Sequence, residues 1–125
     1  MAATVTITTV NNGEKFCVKH VAITGDAAGD VSAQTVFSAS EVGTDAGIES
    51  VEFQTVGAAA VCHWVATAPT VAIALPADSR GRIDYKNIGG LRSNAGTGKT
   101  GALTITTVGL AANDYLTATI VMKKS

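Results

Sequence analysis

Apolar and polar residues alternate with a period of two along much of this chain. Residues 115–123 show the pattern best, because one face carries only Leu116, Ala118, Ile120 and Met122. Successive side chains of a β-strand point to opposite faces of the sheet, so this alternation predicts a half-buried strand. Other apolar sets that alternate with threonine, glutamate, glutamine or alanine are Val5 and Ile7, Val51 and Phe53, Leu103 and Ile105, and Val71, Ile73 and Leu75.

The same pattern, applied to the whole chain, predicts an all-β protein. No long segment carries apolar residues at the 3.6-residue period of a helix, and Asn12-Gly13 is a strong hairpin turn. We therefore expect one domain over residues 1–125, an antiparallel β-sandwich of immunoglobulin-like or Greek-key/jelly-roll type with seven to nine strands. The strands are expected near residues 4–10, 15–24, 31–39, 48–56, 60–67, 70–75, 82–86, 102–108 and 115–123.

Composition supports a packed core and excludes some classes of function. Of the 125 residues 46% are hydrophobic, 15% are charged and 5% are aromatic, so aliphatic side chains must fill the core. A net charge of -1 argues against a nucleic-acid coat or a polybasic membrane binder. The N-terminal residues lack the features of a secretory signal, and the most apolar stretch, 56–66, is too short for a membrane helix. We expect synthesis in a bacterial-type cytoplasm and neither a nucleic-acid nor a membrane partner.

Four potential zinc ligands occur in two pairs, Cys17 with His20 and Cys62 with His63. Tetrahedral zinc requires its ligands to converge on one point. Cys62 and His63 are neighbours on a predicted strand and point apart, and Cys17 and His20 also differ in parity unless a bulge near Lys19 realigns them. We therefore expect no metal site and no cofactor, while a Cys17–Cys62 disulfide stays open.

The glycine-rich segment 94–100 ends like a phosphate-binding loop, in Gly98-Lys99-Thr100. That motif needs glycine where this chain has Ser93, and it needs a helix afterwards, whereas residues 103–108 have the pattern of a strand. A flexible loop with one lysine is the better interpretation.

Arrangements for catalysis are also missing from the sequence. No nucleophile elbow occurs, and neither histidine has an obvious carboxylate and nucleophile around it. Glu49 and Glu52 diverge on a strand, which does not suit a pair of catalytic carboxylates. We expect no enzymatic activity, and we interpret as solvated turn residues the potential calcium ligands Asp26, Asp30 and Asp45.

Charge is unevenly distributed. Segment 80–99 holds five basic side chains and one acid, whereas the rest of the chain holds four basic residues and nine acids. Arginine suits carboxylate or phosphate partners, so this segment is either a solvated loop or a docking surface for an acidic partner. Ile88 and Leu91 lie in the same segment and either contact that partner or pack back onto the sheet. The candidate partner-binding residues are Arg80, Arg82, Lys86, Ile88, Leu91, Arg92 and Lys99.

The C-terminal third of the chain, residues 83–125, resembles small β-structured accessory virion proteins of tailed bacteriophages. Five motifs carry the resemblance. They are a Gly-Gly-Leu loop at 89–91, a glycine-rich turn at 96–101, a Leu-Thr-Ile strand at 103–105, a small-residue turn that ends in tyrosine at 111–115, and a lysine ending at 122–124.

The resemblance implies a structural role. Proteins of this kind decorate or cement a capsid shell, often as homo-oligomers, so we expect a location on the capsid surface and the major capsid protein as partner. The alternatives are a minor tail or head-fibre component, or a carbohydrate-binding or adhesion module in which exposed Trp64 and Tyr85 stack on sugars. Ice or crystal-surface binding by rows of threonine is a minor alternative.

Overall fold

The computed structural model describes residues 4–25, 30–88, 90–93 and 96–124, and for Ile88 the backbone only. The helical elements are a short α-helix, α1 (Ala39–Val42), and a 3-10 helix (Lys86–Ile88). The strands are β1 Thr4–Asn12, β2 Phe16–Thr24, β3 Gln34–Phe37, β4 Gly47–Val56, β5 Ala59–Trp64, β6 Thr70–Leu75, β7 Arg80–Asp84, β8 Leu91–Arg92, β9 Leu103–Val108 and β10 Tyr115–Lys123.

The strands form two antiparallel sheets that pack as a β-sandwich, as predicted. The larger sheet has the order β1-β2-β10-β4-β7, and β8 pairs with the first residues of β4 beside β7. The smaller sheet has the order β3-β9-β5-β6. Each of the nine predicted strands is present, with ends that differ by a few residues, and the described residues contain a tenth strand, β8, that was not predicted.

The core between the sheets is built from the predicted alternating positions. The apolar face of β10 is at most 1% exposed. Leu103 and Ile105 of β9 in the smaller sheet and Val51 of the neighbouring strand β4 are also fully buried, and the large rings of Phe37 and Trp64 complete the interior. The core therefore contains few aromatic side chains and many aliphatic ones, as the composition requires.

Strand β2 has no bulge near Lys19, so the one irregularity that could have realigned Cys17 and His20 is absent. Phe16–Thr24 pairs with β10 without a shift in register. The bulge lies in the neighbouring strand β1, between Thr9 and Asn11. Uninterrupted alternation in β2 then points the side chain of Lys19 into the molecule, where the residue is 8% exposed.

The buried ammonium group of Lys19 is matched by a carboxylate from α1. Its Nζ lies 2.6 Å from Glu41 Oε2 and 2.7 Å from Oε1, and 5.5 Å from the centre of the Phe37 ring. Glu41 also accepts hydrogen bonds from the backbone N–H and the hydroxyl of Ser38, at 2.9 and 3.0 Å. The sequence pattern predicts a strand as far as residue 39, but this Ser-x-x-Glu arrangement starts a helix there.

Strand β6 contains a bulge, and the prediction that Val71, Ile73 and Leu75 share one face is therefore wrong for Val71. Ile73 lies opposite Cys62, but Val71 lies opposite His63, so β6 has one extra residue at this point. The extra residue reverses the direction of the side chain. Val71 is therefore 54% exposed and does not share the buried face of Ile73 and Leu75.

We expect Glu41→Gln to destabilise the protein by about 2–3 kcal/mol, because the ammonium group of Lys19 would remain buried without an opposite charge. Glutamine still accepts the hydrogen bonds of Ser38, so the start of α1 is preserved. Urea unfolding measures the change, and Glu14→Gln in the exposed β1–β2 turn is the control with the same chemistry. Equal stability of the two variants contradicts a structural role for the ion pair.

The same carboxylate predicts a dependence of stability on pH. Burial, the largest influence, raises the pKa of Glu41, but the hydrogen bonds from Lys19 and Ser38 and the charge of Lys19 outweigh it and lower the pKa below its ordinary value of 4.5. Above about pH 4.5, the ordinary pKa, the ionised carboxylate of Glu41 contributes its full stabilisation of the fold. That contribution is lost as the pH falls through the lowered pKa of the folded state. Melting temperatures across this range should fall more steeply for the wild type than for Glu41→Gln, and parallel curves would exclude Glu41 as the cause.

Candidate functional site

The outer face of the larger sheet holds an open depression of about 690 Å³, which we call the polar groove. It extends from β2 across β10 and β4 to β7, and its side chains come from the positions of each strand that alternate with the core residues. The polar and charged side chains that line it include His20, Glu52, Gln54, Arg80, Arg82 and Thr119.

Strand pairing sets the order of these groups. Thr119 of β10 lies between His20 of β2 and Glu52 of β4, and Glu52 lies opposite Arg82 of β7. Directly paired residues place their side chains on the same face, so the four form a row across the groove. His20 Nδ1 lies 3.0 Å from Thr119 Oγ1, which holds the imidazole along this row.

Two arginine side chains occupy the β7 end of the groove. Arg80 lies opposite Gln54, in the row next to that of Arg82. Arg82 Nη2 is 3.9 Å from Asp84 Oδ2, and both side chains are about half exposed, so water screens this pair strongly. The guanidinium groups remain able to donate hydrogen bonds to carboxylates or phosphates of a partner.

The structure brings together only part of the predicted partner-binding set. Arg80 and Arg82 share the outer face of β7, and Lys86 follows two residues after this strand. Arg92 lies opposite Gly47, at the other end of β4. Lys99 lies in the loop before β9, where its Nζ is 3.8 Å from a carboxylate oxygen of Asp45. The basic segment is thus not one loop: it contains β7, the 3-10 helix and β8.

The two apolar residues of the predicted partner-binding set, Ile88 and Leu91, lie in the 3-10 helix and in β8. Leu91 pairs with Ile48 in β8, is half-buried, and packs against the hydrophobic core. Ile88 ends the 3-10 helix, and its side chain lies outside the described part of the structure. Leu91 therefore contributes to the sheet, which is one of the two roles that the sequence allowed.

The cysteines and histidines point apart. Cys17 and Cys62 are fully buried free thiols on opposite sheets, while His20 and His63 are half-buried on outward positions. Burial raises the pKa of the Cys62 thiol to about 12. Burial, together with the charge of Glu41, also raises the pKa of Cys17. Both thiols are consequently held in the protonated form.

Neither a metal centre nor a membrane-spanning helix is found in the described part of the chain. Within it, no three histidine, cysteine, aspartate or glutamate side chains lie close enough to share a metal ion. None of its helices is long and apolar enough to cross a membrane.

Asp30 and Asp45, two of the three aspartates considered as calcium ligands, form other contacts in the structure. The third, Asp26, lies outside the described residues. Asp30 accepts hydrogen bonds from the Leu110 backbone N–H at 2.7 Å and from the Thr107 hydroxyl at 3.1 Å. The bond from Leu110 is the main cause of the lowered pKa of Asp30. Asp45 pairs with Lys99, so both aspartates connect loops to neighbouring segments.

The glycine-rich loop before β9 is folded against the protein. Gly98 and Gly101 have φ of +83° and +82°, values that favour glycine, and a Cβ at these positions would lie 2.4 Å from Thr67 Oγ1 and 1.8 Å from the Gly43 carbonyl oxygen. A strand follows this loop, as predicted, so the helix N-terminus of a phosphate-binding loop is missing here. Residues 94–95 lie outside the described part.

The aromatic residues considered for sugar stacking are not arranged for it. Trp64 is 1% exposed and belongs to the core. Tyr85 is half-buried and packs against the core, and burial raises its pKa. The expectation that both rings are exposed is therefore wrong, since the alternation of β5 points Trp64 inward.

Comparison with known proteins finds no matching family model and no match among curated proteins. Among solved structures, the chain is similar to a cupin superfamily protein from Desulfitobacterium hafniense, with 8% identity and a TM-score of 0.36 over 96% of this chain and 78% of that one. It is also similar to a vicilin from Solanum melongena, with 13% identity and a TM-score of 0.40 over 99% of this chain. It spans only 27% of the vicilin chain.

Sequence reasoning missed four of the six named groups of the polar groove. His20, Glu52, Gln54 and Thr119 lie on three strands that are far apart in the chain, and only the strand order makes them neighbours. The sequence signal that could have found these residues is their position within each strand, because each one alternates with core residues and therefore points outward.

We expect neither cysteine to react with a thiol reagent in the native protein at about pH 8, because both thiols are buried and their raised pKa values keep them protonated. Both should react after unfolding in guanidinium chloride. Mass spectrometry of the alkylated protein counts the modified residues. Rapid labelling of either cysteine in the native state, or a mass change on reduction, would contradict the two buried free thiols.

Proposed function

We propose that this chain is a non-enzymatic structural protein of a tailed-bacteriophage virion, which binds the outside of the capsid shell and stabilises it. The resemblance of residues 83–125 to accessory virion proteins suggests the setting. The observation that carries the proposal is the basic edge, by which we mean the exposed side chains of Arg80, Arg82 and Lys86 at the β7 side of the larger sheet.

The basic edge is rigidly supported, which suits repeated docking on a lattice. Five residues of β4 pair with β7, and β4 is itself paired along its other side with the buried strand β10. The backbone on either side of the arginines therefore loses little conformational freedom on binding, because folding has already ordered it. Only the arginine side chains must be immobilised against the partner.

Charge favours an acidic docking site on the shell. Glu52 of β4 is the acidic group that lies next to the basic edge, directly opposite Arg82. Arg80 lies opposite the neutral Gln54 and has no charged neighbour in its row. Carboxylates of a shell protein can accept the paired hydrogen bonds of such a guanidinium.

Stabilisation of the shell would follow from mass action. A protein that binds assembled shell more tightly than free subunits shifts the equilibrium toward the shell. Contacts that are individually weak suffice, since a decoration that touches several subunits or is linked to its neighbours gains from effective concentration. The carbohydrate-binding alternative has less support, because the rings of Trp64 and Tyr85 are committed to packing.

The proposal is tested first by locating the chain. We expect purified particles of the phage that encodes it to contain the protein in a fixed, small-integer ratio to the major shell protein, measured by quantitative mass spectrometry. A handful of copies per particle would assign it to the tail or to a fibre, and its absence from particles would overturn the proposal.

Docking is then tested on shells prepared without this chain. Arg80→Gln/Arg82→Gln should bind them at least tenfold more weakly than the wild type, and raising the salt from about 0.1 to about 0.5 M should weaken wild-type binding in the same direction. The matched control is Lys15→Gln/Lys123→Gln, which removes two exposed charges away from β7. Binding that is insensitive to salt, or equally weakened in both variants, contradicts docking through the basic edge.

A further inference from the structure

The four edge strands of the two sheets differ in how they are protected against pairing with another chain. An edge strand presents free backbone N–H and C=O groups, and natural proteins protect such edges with charge, proline, bulges or short length. The edges of this sandwich are formed by β1 and β7 in the larger sheet, where β8 continues the β7 edge along β4, and by β3 and β6 in the smaller one.

Three of the edges carry recognisable protection. Strand β7 has three charged residues among five, and β3 is only four residues long. Strand β6 begins after Pro69, ends before Pro76 and contains the bulge opposite Cys62 and His63. The chain has two prolines, and both lie at the ends of this one edge strand.

Strand β1 lacks that protection along most of its length. It has nine residues, Thr-Val-Thr-Ile-Thr-Thr-Val-Asn-Asn, with no charge and no proline. Its pairing with β2 is regular from Thr4 to Thr9, and the bulge comes only after that. Within the described part of the chain, no strand pairs with its other side.

Side chains on and beside β1 are also incompletely covered. Val5 and Ile7 point toward the core but are only half-buried, since no further strand flanks them among the described residues. Val10 is 61% exposed on β1 itself, and Phe16 is 39% exposed on the outer face of β2. Val5 and Ile7 thus have surface left to bury along the part of this edge where the pairing of β1 is regular.

We propose that β1 is a self-association strand, which pairs antiparallel with β1 of a second copy of this chain and joins the two larger sheets into one. The inference stands apart from the shell-binding proposal, because it concerns the opposite edge of the larger sheet.

A second copy fits this edge better than an unrelated segment for reasons of chemistry. A two-fold axis through Thr6 places Val5 of one copy opposite Ile7 of the other, on the core side, and Thr4 opposite Thr8 on the outer side. Paired β-branched apolar residues and paired threonines are favourable neighbours across strands. An uncharged strand also meets no repulsion from its own copy and offers no charge by which to select a charged partner.

The edges also explain why association would stop at two copies. A two-fold pairing is closed, because each β1 uses its free side on the other. The joined sheet then ends at two copies of β7, whose charged side chains protect this edge against the addition of another strand. The basic edges would lie at opposite ends of the dimer, available for a partner.

The test uses Thr6→Lys/Thr8→Lys, since both positions are exposed and tolerate the change in the monomer. We expect the wild type to dimerise reversibly in sedimentation velocity, and this variant to do so at least tenfold more weakly, because like charges would face each other across the axis. The matched control, Val71→Lys/Ala74→Lys, adds the same charges to exposed positions of the β6 edge and should dimerise like the wild type. Mixing the lysine variant with Thr6→Glu/Thr8→Glu should restore a dimer of the two.

Hydrogen exchange on the wild type provides a readout that needs no substitution. Amides of β1 should become more protected as protein concentration rises, while amides of β6 stay unchanged. A wild type that remains monomeric at all concentrations overturns the proposal. So does undiminished dimerisation of the lysine variant, loss of dimer in the β6 control, or failure of the mixed variants to associate. Failure of shell binding, in contrast, would leave this dimer intact and would count only against the function proposed above.

Discussion

The register of β10 is the constraint on which the larger sheet depends. This strand pairs along its whole length with β2 on one side and, apart from one register shift near Glu49, with β4 on the other, so its alternation determines which side chains of β2 and of most of β4 enter the core. A slip of one residue would expose the buried leucine, isoleucine and methionine of β10, at a cost of about 1.5–3 kcal/mol for each fully buried side chain. The outward rows of the polar groove follow from the same register, so core and surface are set by one pairing pattern.

Unbroken pairing between β2 and β10 has one electrostatic consequence. Because β2 stays in register with β10, it cannot turn Lys19 outward without losing the inward positions of Val21 and Ile23. The chain instead supplies a carboxylate from the short helix after β3, and Ser38 orients that carboxylate. Burial of a charge is tolerable only with a partner and satisfied hydrogen bonds, and Glu41 provides both. The ion pair also connects β2 of one sheet to the segment that follows β3 of the other.

The sequence predicts the β-sandwich and the positions of its strands, since period-two alternation is a local property that each segment shows separately. It does not predict features that depend on neighbouring strands. The bulge that exposes Val71 and the register that buries Lys19 both arise from pairing between distant segments. The polar groove is missed for the same reason, because His20 and Glu52 become neighbours only through Thr119. Arg80 and Arg82 are found because local charge density marks them, and the strand predicted near residues 82–86 includes Arg82 but not Arg80.

The two edges of the larger sheet differ in chemistry, so the partners proposed for them differ as well. At β7 the free backbone groups are accompanied by guanidinium side chains, which would favour a partner that supplies acidic groups. At β1 the free backbone groups are accompanied by threonine and β-branched apolar residues, so recognition rests on strand pairing and burial. The charged side chains of β7 protect that edge against strand addition, so the proposed pairing through β1 would stop at two copies. In that dimer β1 would lie inside and β7 outside, with its arginines available to the proposed acidic partner.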